Sequence, residues 1–209
     1  MFLKSVGEEM GLHKAELSLF RKLSSPEKIQ SFVTQLRCNF ERGGDTCHSV
    51  RTVILKGEAH CIEAALFAAC ALLLHGRPAL LMDLQAEGDD DHVVALFRRG
   101  PYWGAISKSN TVWLRFRDPI YRTLRELAMS YFHEYVRGPR KTLRTYSRPF
   151  RIEQFHPALW VTSRQNCWKV TEALDGARHY HLVSSSQARS LRLRDSMERR
   201  IGRIPEFAC

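Results

Sequence analysis

The segment Ala59–His75, AHCIEAALFAACALLLH, holds a single acidic residue, Glu63, among alanines, cysteines and large apolar side chains. A surface helix would show a polar stripe recurring every three or four residues. This one lacks such a stripe, and a helix apolar nearly all round belongs in the middle of a core. Gly76 supplies its C-terminal stop and Pro78 follows just beyond. Cys61 therefore falls in the first turn of a buried helix, and Cys70 deep inside it. The longest apolar run, Ala64 to Leu74, is 11 residues, well short of the roughly 20 needed to span a bilayer.

Downstream of the helix the pattern changes to strands. Residues 78–84 (PALLMDL) read as a buried strand, and an acidic loop, Glu87 to Asp91, leads into a second strand at 92–97 (HVVALF). A turn at Arg99-Gly100-Pro101 returns the chain antiparallel through 102–107 (YWGAIS). Residues 112–116 are expected to add a strand. Asp118-Pro119 is expected to open a helix from about Ile120 to Tyr135. A last helix is expected over residues 188–203. Upstream, a helix is expected over residues 13–22, and Ser24-Ser25-Pro26-Glu27 opens another. There Ser24 is expected to cap, Glu27 to complete a capping box, and Pro26 to sit in the first turn. Gly43 and Gly44 mark a polar loop over residues 39–49.

The sequence as a whole reads as α+β: a central buried helix packed on an antiparallel sheet, with flanking helices. Residues 1–136 are expected to form the core domain, and 137–209 a basic extension packed on it. Of the net charge of +10, residues 1–110 contribute nothing, with 13 Lys/Arg against 13 Asp/Glu. Residues 111–209 hold 19 against 9 and carry the whole excess, which points to an anionic partner as one possibility. The stretch 137–151 (RGPRKTLRTYSRPFR) has six basic residues and no acid. It reads either as a track for a nucleic-acid strand or as an exposed connection with its aliphatic stems on the surface.

Glu8 and Glu9 stand where a secretion signal would need apolar residues, so the protein is expected to be cytoplasmic, with no membrane association. The six cysteines lack paired zinc-site spacing and are expected to remain separate reduced thiols. Cys38 and Cys47 are spaced to close a small loop, but no secretion signal implies the oxidative folding that would join them. No cofactor or metal is expected. The run Asp89–Asp91 reads as a solvated loop, because three consecutive carboxylates cannot all face one ion.

A nucleophilic cysteine must be thiolate or become so during attack. A helix N-terminus helps by about 0.3–2 kcal/mol, about one pKa unit, so a histidine partner is also needed. His92, opening the hairpin that follows the helix, is the candidate base. The Cys61 N–H is a candidate oxyanion donor. His60 directly precedes the cysteine and, by helical geometry, points away from it. His75, at the other end, is expected to favour the helix dipole.

The combination Gly57-x-x-x-Cys61, the alanine-rich helix, His75-Gly76-Arg77-Pro78-Ala79, His92 and Trp103 resembles the transglutaminase-like superfamily, which shares the papain-like cysteine protease fold. The resemblance covers about residues 50–110. It implies a cysteine hydrolase or acyl-transferase acting on peptide or protein amide bonds, although the superfamily also includes catalytically silent members. In the family an Asp a few positions after the hairpin tryptophan orients the histidine. Here Ser107 stands four positions after Trp103. A two-residue turn at Arg99-Gly100 places Ser107 opposite His92, and longer turns slide the partner to Lys108, Ser109 or Asn110. Asn110 would complete a Cys-His-Asn set. Asp118 is the alternative if the chain curls back, and Asp89, Asp90 and Asp91 beside His92 are another. The competing reading is a non-catalytic protein of this fold that binds an anion through its basic C-terminal half.

Overall fold

The computed structural model describes residues 2–201 and 205–207. Its helices begin with α1 (Phe2–Glu9), α2 (Lys14–Lys22), α3 (Pro26–Gln35), α4 (Val50–Lys56) and α5 (Cys61–Leu74). Two short strands, β1 (Arg37–Cys38) and β2 (Glu58–Ala59), pair in parallel just before α5. Then come β3 (Leu80–Ala86), β4 (His92–Arg99), β5 (Tyr102–Ile106), β6 (Arg117–Tyr121) and the short helix α6 (Leu124–Met129). A hairpin of β7 (Val136–Arg137) and β8 (Arg140–Lys141) leads to β9 (Leu143–Ser147) and β10 (Phe150–Arg151). The chain closes through α7 (Trp168–Asp175), β11 (His179–His181), α8 (Ser185–Ser190) and α9 (Ser196–Ile201).

The main sheet runs β11-β9-β3-β4-β5-β6, with β10 also pairing to β3, and every pairing is antiparallel. Both of its faces are covered. Leu81, Val93, Ala95 and Phe97 pack toward α5, while Leu80, Met82, Leu84, Val94 and Leu96 pack toward Leu127, Tyr131 and Tyr135. The strict alternation follows from the two-residue period of a strand. It explains why β3 reads as an almost continuous apolar run. Helix α5 lies against the sheet on one side, with α1, α3 and α4 around the rest. Phe67 at its middle stacks on Phe20 at 5.2 Å and Phe32 at 4.8 Å. Gly76, at a φ of 74°, ends the helix in a Schellman turn, with Arg77 N donating to Leu72 O and Gly76 N to Leu73 O. His75 uses its ring to tie this end to α2, Nε2 lying 2.8 Å from Phe20 O.

Several expected elements differ. Asp118-Pro119 lies within strand β6 rather than opening a helix. Pro119 is tolerated because β6 is an edge strand. The following helix is only Leu124–Met129, capped by the Thr123 side chain, which accepts from Glu126 N. Residues 112–114 make a single 3-10 turn, not a strand. Ser25, not Ser24, caps α3, accepting from Lys28 N, and Glu27 is drawn to Arg99 instead. The expected C-terminal helix is two short ones broken at 191–195; the Asp195 side chain restarts it by accepting from Glu198 N. The end of that helix at Arg203 lies outside the described residues.

The boundary expected at 136/137 falls inside one sheet, because residues beyond it supply β9, β10 and β11. Val50 N and Arg51 N also bond to Trp160 O and Val161 O. Among the described residues no helix is long and apolar enough to cross a membrane.

Candidate functional site

The β1–β2 pair sets the chain direction into α5. Arg37 pairs with Glu58 and Cys38 with Ala59, and Asn39 N continues the ladder to Ala59 O. His60 then serves as the N-cap with extended backbone (φ −99°, ψ −169°), and Cys61 is the first helical residue. Its N–H belongs to the first turn, where no carbonyl of the helix itself is available. The helix dipole adds positive potential at the sulfur.

Cys61 lies at the junction of this helix end with the head of β4, half-buried, in a cleft of about 260 Å³ lined also by His60, His92, Asn110, Leu114 and Tyr135. Burial raises the thiol's proton affinity, but hydrogen bonds from the His60 and His92 rings outweigh it and hold the pKa at about 5. Each ring is anchored at its far side by a backbone carbonyl. His60 Nδ1 is 4.0 Å from the sulfur and its Nε2 is 3.1 Å from Thr46 O. His92 Nε2 is 3.0 Å from Leu114 O, which fixes a proton on Nε2 and leaves Nδ1 for the thiol. Ser107 Oγ donates to the same Leu114 carbonyl at 2.8 Å, and the His92 ring meets the Tyr131 ring edge-on at 6.3 Å.

The structure thus brings Cys61, His92 and Ser107 together, with Ser107 acting on His92 through Leu114 rather than directly. The β4–β5 turn is Gly100-Pro101, with Arg99 opposite Tyr102, and the ladder stops at Ala95 opposite Ile106. The strand register therefore sets neither Ser107 nor Asn110 directly across from His92. The Asn110 side chain is engaged by Phe207, accepting from its N–H at 2.9 Å and donating to its carbonyl at 3.1 Å. Asp118 is exposed on β6. The aspartates beside His92 brace the loop: Asp91 accepts from Ala86 N and Asp89 from Thr142 Oγ1. Among the described residues no cluster of three or more His, Cys, Asp or Glu side chains is placed to hold a metal ion.

His60 does not point away from the cysteine as helical geometry suggested. The helical rotation of about 100° per residue starts only after the N-cap, and an extended N-cap turns its ring alongside the sulfur. Behind it stands Glu63, fully buried. This carboxylate accepts from His60 N at 3.0 Å, His48 N at 2.8 Å, Thr46 Oγ1 at 3.0 Å and Asn39 Nδ2 at 3.1 Å. Its Oε1 lies 3.4 Å from His60 Nε2 and 2.9 Å from His48 Nδ1. Burial pushes its pKa up, but the bonds and charge of His60, with the other donors, hold it at about 2. The converse applies to His60: burial works against its charge, yet Cys61 and Glu63 push its pKa up to about 11. The negative charge expected behind His92 thus stands behind His60. The spacing His60-x-x-Glu63, with Glu63 the sole acid of an apolar helix, was the available signal.

Cys47, Cys70 and Cys167 are buried in the core, and Cys38 lies half-buried on the wall of the same cleft. Burial pushes the Cys70 thiol far up. Cys47 lies against Cys167 rather than Cys38, and that contact pushes it up as well. No model of a known protein family matches this sequence, and no curated protein matches it.

Proposed function

We propose that the protein is a cysteine hydrolase or acyl-transferase that acts on amide bonds through a thioester on Cys61, in the manner of transglutaminase-like enzymes. The observation that carries this reading is a thiol at a helix N-terminus, open to a cleft, with two imidazoles against it that are each fixed by a backbone carbonyl. Cys61 Sγ attacks the substrate carbonyl carbon while the Cys61 N–H receives the developing oxyanion. His92, its Nε2–H held by Leu114 O, carries the thiol proton on Nδ1 and passes it to the leaving amine. Water, or an amine for acyl transfer, then attacks the thioester, giving its proton back to Nδ1 and restoring the thiolate. Leu114 O orients His92 but brings no charge; the positive charge that stabilises the thiolate is the His60 imidazolium, itself held charged in part by Glu63.

A mixture of internally quenched peptides tests this. Cleavage by the intact chain that disappears in Cys61→Ala and falls at least a hundredfold in His92→Gln supports the reading, in line with the worth of a general base. Cleavage that persists in Cys61→Ala, or none by the intact chain, sinks it.

A second reading, binding of an anionic partner, is supported by a groove of about 1090 Å³ whose lining includes Arg137, Arg140, Arg144, Arg189 and Arg192. Binding to nucleic acid that falls steeply with salt and with neutralisation of Arg140, Lys141 and Arg144 would favour it.

A further inference from the structure

Asn110 is held by the chain's own C-terminal segment in a manner that resembles peptide recognition. Asn110 O accepts from Glu206 N at 3.1 Å, and the Asn110 side chain accepts from Phe207 N at 2.9 Å and donates to Phe207 O at 3.1 Å. Three main-chain bonds thus fall on two successive residues 96 and 97 positions away in sequence.

The side chains are matched as well. The Glu206 carboxylate pairs with the Arg115 guanidinium, which is itself fixed by Nε donating to Ser109 O at 3.0 Å. The Phe207 ring lies 5.1 Å from the Lys108 ammonium, and Lys108 is almost wholly buried, with Nζ 3.5 Å from Thr34 O. Main-chain bonding gives affinity that does not depend on side-chain identity, and the flanking cations select what the segment carries. The same strip, Lys108 to Thr111, forms one wall of the Cys61 cleft.

We propose that Lys108, Asn110 and Arg115 form a docking site for a short peptide segment with an acidic residue followed by an aromatic one, and that Glu206-Phe207 occupies it in cis. Its use as a substrate subsite rests on the amide chemistry proposed for Cys61; the docking itself does not. The cis segment competes with a peptide added in trans at an effective concentration in the millimolar range, so the intact chain is largely self-occupied.

The test is fluorescence anisotropy with fluorescein-labelled Pro-Glu-Phe amide and the full chain carrying Glu206→Ala and Phe207→Ala. Saturable binding is expected, at least tenfold tighter than to the unaltered chain. Adding Asn110→Ala should weaken it at least tenfold, and a Pro-Lys-Phe peptide should bind at least tenfold more weakly. No saturable binding to the double variant, equal affinity for Pro-Lys-Phe, or indifference to Asn110→Ala would each overturn the proposal. Binding is read without turnover, so inactivity of Cys61 leaves the result intact.

Discussion

The rate at which iodoacetamide alkylates Cys61, followed against pH, reads the electrostatics of the site without any substrate. A thiol at the ordinary value of 9.0 is about 0.1% ionised at pH 6, whereas Cys61, at about 5, is about 90% thiolate. The advantage in reactive form is about 900-fold. Nucleophilicity falls with pKa, at a Brønsted slope of about 0.4–0.5. The lower value therefore gives back about 40–100-fold. The net expectation is labelling at pH 6 about 10–20-fold faster than an unstructured cysteine peptide, half-maximal near pH 5. Mass spectrometry of the digested protein assigns the label, and buried Cys47, Cys70 and Cys167 serve as slow internal controls. His60→Gln removes the strongest contribution that lowers the thiol. It should move the midpoint up by at least about one pH unit, a loss of about 1.4 kcal/mol or more in thiolate stabilisation. A midpoint near 9, or labelling of Cys61 no faster than of the buried cysteines, would refute the reasoning.

Ser107→Ala removes one of the two donors on Leu114 O; one buried hydrogen bond is worth about 1 kcal/mol, so a Tm lower by a few degrees is expected, together with slower turnover and an unchanged thiolate midpoint. Glu63→Gln should cost about 3–5 kcal/mol, because it removes one of the two anions that hold the buried His60 charge and breaks a buried hydrogen-bonded pair; chemical denaturation measures it. The native pKa of Glu63, about 2, lies below the usual 4.5, so its contribution is fully present above pH 4.5 and lost as pH falls through 2. His60, raised from 6.5 to about 11, contributes fully below pH 6.5 and loses its contribution as pH rises through 11. These two groups together support the fold most between pH 4.5 and 6.5, and Glu63→Gln should flatten the acid limb of the stability profile. Gly104→Ala should destabilise by about 1–3 kcal/mol, because a Cβ there would stand 2.8 Å from Arg117 O and 2.4 Å from the Phe97 ring.

The central helix and the hairpin were legible because their signals are local. Helix α5 has no polar stripe, and β4 begins at the histidine where the apolar run begins. The register of that hairpin was not legible. Gly100 takes the first turn position with φ of 58°, and Pro101 the second, two residues from the pairing that a turn at Arg99-Gly100 implies. The orienting group behind His92 is a main-chain oxygen, and a backbone carbonyl leaves no mark on residue identity. The placement of His60 is not legible from helical periodicity, because it is the N-cap and helical rotation begins only after it. The role of Asn110 depends on Phe207, 97 positions away, and no periodicity reports a contact of that range. The helix expected after Asp118 failed because Asp118-Pro119 is also compatible with an edge strand, which only the neighbouring β5 decides.

The most direct test of Cys61 as an acyl-accepting nucleophile is to mix the protein with p-nitrophenyl acetate, follow nitrophenolate release, and locate the acetyl group after an acid quench. The account expects a burst of about one equivalent per chain, a hydroxylamine-labile acetyl on Cys61, and loss of both in Cys61→Ala. Acetylation scattered over lysines and other cysteines, with no burst and no change in Cys61→Ala, would contradict it.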